Sequence, residues 1–170
     1  IVLDDGRTRL AIATVDTCVI PRDLIDQAKE LANRRTGIPI DRLLMAATHT
    51  HSAPTLTDLN PRVPRDPEYL KLVVEGLAAG VDQAAGRLVP ARIGWGVTPL
   101  PDEVNNRRWF MREELLGPNP FGRLDRVRMN PLAGSPDLLR PAGPTDPDVS
   151  VVSIQTADGE PLALLANYSL

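Results

Sequence analysis

Leu43-Leu44-Met45-Ala46-Ala47-Thr48-His49-Thr50-His51-Ser52-Ala53-Pro54 is the stretch from which the rest of the chain can be read. Five apolar residues run into alternating threonines and histidines, then into a loop opened by Pro54. That is the pattern of a buried strand, Leu43–Thr48, whose C-terminal end opens into a site. Side chains alternate faces along a strand, so His49 and His51 are expected on one side and Thr48 and Thr50 on the other. No other histidine occurs in the 170 residues. Two imidazoles on one face at a strand end can bind a metal or share a proton. Zinc suits them, since it accepts imidazole nitrogen and keeps a position open for water in catalytic sites. Two imidazoles leave such a site at least one ligand short.

Upstream, Asp4-Asp5-Gly6-Arg7 is a turn between extended segments, Ile1 to Leu3 and Thr8 to Ile20. Leu10 to Val15 is almost continuously apolar, as in a strand covered on both faces. Cys18 is expected within that strand as a buried, inert thiol. Asp16 at the strand's end is either a partner for a histidine or a turn carboxylate. Pro21 opens a helix to about Thr36, with Leu24, Ile25, Ala28, Leu31 and Ala32 on one stripe and Gly37 and Pro39 stopping it. Strand, helix and strand over about 40 residues make a βαβ unit with parallel strands. Sites in such sheets form at the C-terminal strand ends, where Asp16 and His49 both fall.

Downstream, a loop carries Pro54, Pro61 and Pro64, and Asp66-Pro67-Glu68 starts a second helix to about Ala85. Leu70, Val73, Val74, Leu77, Val81 and Ala84 form its buried stripe, and Gly86 ends it. A strand over Ala91–Thr98 follows. Pro99 to Pro147 reads as almost all loop, with Asn105-Asn106-Arg107-Arg108-Trp109-Phe110 as its polar and aromatic cluster. Asp158-Gly159 between two apolar runs marks a hairpin of Val149–Thr156 and Pro161–Tyr168. The fold class is α/β: a mixed sheet with flanking helices, a βαβ start, a long Pro/Gly-rich loop and a C-terminal β-hairpin. Both ends fall inside apolar segments, so the fold is expected to be incomplete at each.

At this length the chain is expected to be one domain. A net charge of −3 gives no basic footprint, so nucleic acid is not an expected partner. No apolar run reaches a membrane span. One cysteine excludes an internal disulfide. Arg107 is a candidate for binding a substrate oxygen or an oxyanion. Ser52 lacks the Gly-x-Ser-x-Gly elbow of a nucleophile and reads as a hydroxyl tying down its loop.

Thr48-His49-Thr50-His51-Ser52-Ala53-Pro54 resembles the Thr-His-Thr-His-Ser-Gly/Ala-Pro motif of the neutral/alkaline, non-lysosomal ceramidase family. Asn106-Arg107 resembles the family's Asn-Arg pair, and Asp146-Pro147 before an apolar strand resembles its Asp-Pro hairpin. Asn167-Tyr168-Ser169-Leu170 resembles the strand before its second zinc histidine. The resemblance implies that residues 1–170 are the N-terminal portion of a single catalytic domain, a zinc-dependent amide hydrolase. Its substrate would be a ceramide-like lipid, cleaved at the N-acyl bond to sphingosine and fatty acid, with Zn2+ as cofactor.

By the same resemblance His49 is a zinc ligand. His51 orients substrate or transfers a proton, and Arg107 holds the substrate or the oxyanion. The second zinc histidine would follow Leu170, and the glutamate and tyrosine ligands would come later. The fragment alone would therefore be inactive. Ala53 in place of Gly, and the paired Arg107-Arg108, leave another amide or ester open as substrate. The family also implies a secreted, cell-surface or periplasmic location, with peripheral contact at a membrane surface. Two other readings are a metal-dependent amidohydrolase on a β/α barrel and a non-catalytic lipid- or glycan-binding relative.

Overall fold

The computed structural model describes residues 1–58, 62–112 and 116–169. Of the positions singled out above, Pro61 and Leu170 lie outside the described residues. The chain divides into two compact units, Ile1–Pro90 and Ala91–Leu170.

In the first unit, β1 (Val2–Asp4), β2 (Arg9–Val15) and β3 (Leu43–Ala47) form one sheet in that order. β1 pairs antiparallel with β2, and β2 pairs parallel with β3 from Ala11↔Leu43 to Val15↔Ala47. Parallel neighbours need a long crossover, and α1 (Arg22–Thr36) provides it. Pro21 precedes its first turn. Gly37 ends it at φ 71°, donating its N–H to the Asn33 carbonyl. That positive φ is one that glycine adopts without strain. Asn33 Nδ2 then donates to the Ile38 carbonyl at 2.8 Å, turning Ile38 into the core at 1% exposure.

α2 (Pro67–Ala85) starts as the Asp-Pro pair dictates. Asp66 Oδ1 accepts the Glu68 N–H at 2.9 Å, and Pro67 occupies the first turn, where no N–H is needed. The core gathers Leu24, Ala28 and Ala32 of α1 with Val73, Leu77, Ala78 and Val81 of α2 over Ala11, Leu43 and Met45 of the sheet. Ala28, Ala32 and Ala78 are fully buried. Side chains this small let the two helices approach closely. Arg35 on α1 also pairs with Glu75 on α2.

Two expectations need correction. β2 ends at Val15, so Cys18 lies beyond the strand and is only half-buried. The sheet is also covered on one face rather than two. Leu43 and Met45 are buried while Leu44, between them, is 57% exposed. Strand alternation turns it away from the layer that holds both helices.

The second unit contains β4 (Ala91–Pro99), β8 (Asp148–Thr156) and β9 (Pro161–Asn167) as an antiparallel sheet in the order β4-β8-β9. The Asp158-Gly159 hairpin is present, with Gly159 at φ 94° and its N–H on the Thr156 carbonyl. The stretch read as loop holds a second sheet, β6-β5-β7, built from β5 (Arg108–Met111), β6 (Val127–Met129) and β7 (Leu138–Pro141). Its strands are three or four residues long, too short for alternation to stand out. Phe110 pairs with Arg140, whose guanidinium lies 3.9 Å from the ring centroid, a cation–π contact across the strands. Among the described residues, only β2 and β3 pair in parallel. A β/α barrel, whose strands are all parallel, is therefore not the architecture.

The closely packed helix pair makes Ala28 intolerant of bulk. Ala28→Leu is expected to lower unfolding free energy by about 1–3 kcal/mol, read from the urea midpoint. At the β1–β2 turn, the Thr8 and Arg7 N–H groups donate to Asp5 Oδ1 at 2.6 and 2.9 Å and hold its carboxyl below the ordinary value. A carboxyl depressed by folding stabilises the fold above its unfolded value, and that contribution fades as pH falls through the folded one. NMR titration should place Asp5 below an unfolded-peptide reference; an equal or higher value would contradict this turn.

Candidate metal centre

The two parallel strands stop side by side. Val15 faces Ala47 as the last pair, and the Thr48 N–H reaches the Val15 carbonyl at 3.0 Å as the final rung. Beyond it, Asp16-Thr17-Cys18 leaves β2 and Thr48-His49-Thr50-His51 leaves β3 at the same end of the sheet. Residues 31 positions apart are thereby neighbours. Thr48 Oγ1 donates to Asp16 Oδ1 at 3.0 Å, so Asp16 tethers the two loops rather than holding a histidine.

Strand geometry does not continue through the motif. β3 ends at Ala47, and His49 has φ 65°, in the left-handed region that side chains rarely adopt. The alternation argument for a shared face therefore fails, because the backbone turns before alternation reaches the histidines. The turn itself brings the rings together. Their centroids are 5.1 Å apart and the planes cross at 79°, edge to face.

His49 Nδ1 lies 2.7 Å from the Cys18 carbonyl oxygen. A carbonyl has no proton to give, so Nδ1 is the donor and carries the hydrogen. In the neutral ring Nε2 then bears the free lone pair. This is how metal-binding histidines are commonly oriented, one nitrogen on a backbone carbonyl and the other on the ion. Cys18 Sγ lies 3.7 Å from the same Nδ1. One ligand atom each from Cys18, His49 and His51 falls within 4.8 Å of the others. A tetrahedral zinc ion with sulfur and nitrogen ligands spaces its donors about 3.4–3.6 Å apart. The cluster is wider than that, and His49 Nδ1 is already engaged by the Cys18 carbonyl.

The loop beyond is pinned locally. Thr50 Oγ1 accepts the Ser52 N–H at 3.3 Å, so the threonine hydroxyl, through the serine backbone, ties this turn. Leu56 is 1% exposed in the core, an anchor that the proline-rich sequence around it did not announce. Cys18 was also missed as part of the centre. Its signal was its place just after β2, beside the strand end that delivers His49.

Arg107 belongs to the second unit, ahead of β5. Asn106 Oδ1 accepts the Arg108 N–H at 2.9 Å, and its Nδ2 donates to the Pro144 carbonyl at 3.3 Å. The Asn130 N–H donates to the Arg107 carbonyl at 2.8 Å. These bonds hold the backbone while the Arg107 side chain is exposed, at an open cavity of about 750 Å³ shared with Trp109 and Leu138.

Two solved structures are similar in fold. A ceramidase complexed with C2 matches with a TM-score of 0.63 at 21% identity, over 97% of this chain and 24% of its own. Neutral ceramidase from Pseudomonas aeruginosa matches with a TM-score of 0.61 at 22% identity, over 95% and 24%. This chain spans about a quarter of the length of each. No family model matches the chain, and no curated protein matches its sequence. The likeness establishes the fold: mixed α/β, like a portion of a neutral ceramidase.

The hydrogen bond to Cys18 makes a direct prediction. At a pH where the ring is neutral, long-range 15N–1H NMR should show His49 as the Nδ1–H tautomer. An Nε2–H tautomer would mean that the carbonyl contact does not orient the ring.

Proposed function

We propose that the protein carrying this chain is a zinc-dependent amide hydrolase of the neutral ceramidase kind. It would act on ceramide-like lipids and release sphingosine and fatty acid. The observation that carries this reading is the His49–His51 pair at the end of the parallel strands, with His49 Nδ1 engaged by a carbonyl and Nε2 left for a metal. The likeness in fold to neutral ceramidases supports it.

In this reading His49 holds the zinc, together with ligands from parts of the protein outside these residues. Zinc, when bound, acidifies a water and polarises a carbonyl. The Cys18 carbonyl keeps the His49 ring oriented. His51, exposed beside it, takes a proton from water as the oxygen adds to the amide carbon. It then returns a proton to the sphingoid amine as the C–N bond breaks. Arg107 is assigned to the negative charge that develops on the carbonyl oxygen. A lipid substrate fits a secreted or surface protein that meets membranes peripherally. Among the described residues, no helix is long and apolar enough to cross a membrane.

The test uses a longer protein that carries this chain and the rest of a ceramidase-like fold. His49→Ala should lose its zinc. His51→Ala should keep zinc but lose about 10²–10⁴ in kcat, and Arg107→Ala about 10²–10³. The 170-residue chain alone should show no turnover. Full zinc content in His49→Ala, or undiminished turnover in His51→Ala, would refute these assignments. A panel of ceramides, other N-acyl amides and esters decides the substrate.

A further inference from the structure

We infer that the hairpin tip at Phe121 is an anchor for a lipid bilayer surface with anionic headgroups. The inference rests on the proposed lipid hydrolase for the kind of surface, and it names the segment of the second unit that meets it. Three features carry it. The tip is built to hold one shape. Pro118 and Leu124 form a β-bridge, the Asn119 N–H donates to the Arg123 carbonyl at 2.7 Å, and the Gly122 N–H closes the turn on the Asn119 carbonyl at 3.0 Å. Asn119 Oδ1 accepts the N–H groups of Phe121 and Arg123 at 2.9 and 3.2 Å, and Asn119 Nδ2 donates to Asp125 Oδ1 at 3.0 Å. Pro120 and Gly122, the latter at φ 75°, suit the second and fourth positions of such a turn.

What this scaffold presents is apolar. Phe121 is 89% exposed and Leu124 is 63% exposed, where turn residues are ordinarily polar. The ring packs on almost nothing in its own unit. The third feature is charge. Arg123, Arg126 and Arg128 fall within six residues and are all exposed, and none forms an ion pair among the described residues. Asp125, the acid among them, is engaged by Asn119, and Glu113 and Glu114 lie outside the described residues. A protein cover over this tip would desolvate arginines without carboxylate partners, which is costly. A bilayer interface accepts both parts: the ring enters at headgroup depth while the guanidinium groups bind lipid phosphates.

The probe is sucrose-loaded vesicles of equal parts phosphatidylcholine and phosphatidylglycerol, without ceramide, sedimented with the longer protein that carries this chain. Phe121→Ser should weaken binding at least about tenfold, and Arg123→Gln and Arg126→Gln about fivefold each. Because the vesicles hold no substrate, binding is read whether or not the protein turns over ceramide, and absent turnover counts against the hydrolase reading alone. No binding by the wild type, or equal binding by Phe121→Ser, would overturn the inference. A lowered Tm or a changed oligomeric state in Phe121→Ser would overturn it as well, since protein would then cover the ring. Equal binding to vesicles of phosphatidylcholine alone would overturn the part given to the arginines.

Discussion

The parallel pairing of β2 with β3 is the constraint on which the candidate centre depends. Five residue pairs, Ala11↔Leu43 to Val15↔Ala47, set the register. That register brings Cys18 beside His49 and Asp16 beside Thr48. A one-residue slip would reverse the faces of β3, exposing Leu43 and Met45 and burying Leu44. The loss of core contacts that this implies is what locks the register. The helices therefore act on the site at a distance: by burying one face of β3, they determine where its C-terminal end points.

At the centre, short-range hydrogen bonds take over from packing. The strand ends when the Thr48 N–H has used the last ladder carbonyl. The left-handed backbone at His49 is compatible with the folded state because its ring is held by the Cys18 carbonyl and the preceding residue by Asp16. Such strain tends to persist where surrounding contacts over-determine it, and it clusters at functional sites. Leu56 holds the far end of the same loop in the core. The histidines thus lie on a short span anchored at both ends.

The second unit solves a different problem. Arg107 stands in a proline- and glycine-rich region where long strands cannot form. Its backbone is held instead by Asn106, Asn130 and a three-stranded sheet of short segments. Asn106 bridges the segment before β5 to the one after β7. The Asn106-Arg107 pair, singled out by resemblance, has a structural account: the first residue builds the turn that presents the second.

The sequence by itself determined the elements whose signals are local. Pro21 and Gly37 bound one helix, Asp66-Pro67 and Gly86 the other, and Asp158-Gly159 marks the hairpin, because caps and turns are built by residues a few positions apart. It also singled out the Thr-His-Thr-His motif and the crossover that makes β2 and β3 parallel. Tertiary structure alone decided that Cys18 faces His49, that one side of the sheet is open, and that a second small sheet begins directly after Arg107. It also replaced strand alternation with a left-handed turn as the reason the histidines meet. Those features depend on contacts between residues tens of positions apart. Periodicity in a short window cannot encode them; strand register and helix packing do.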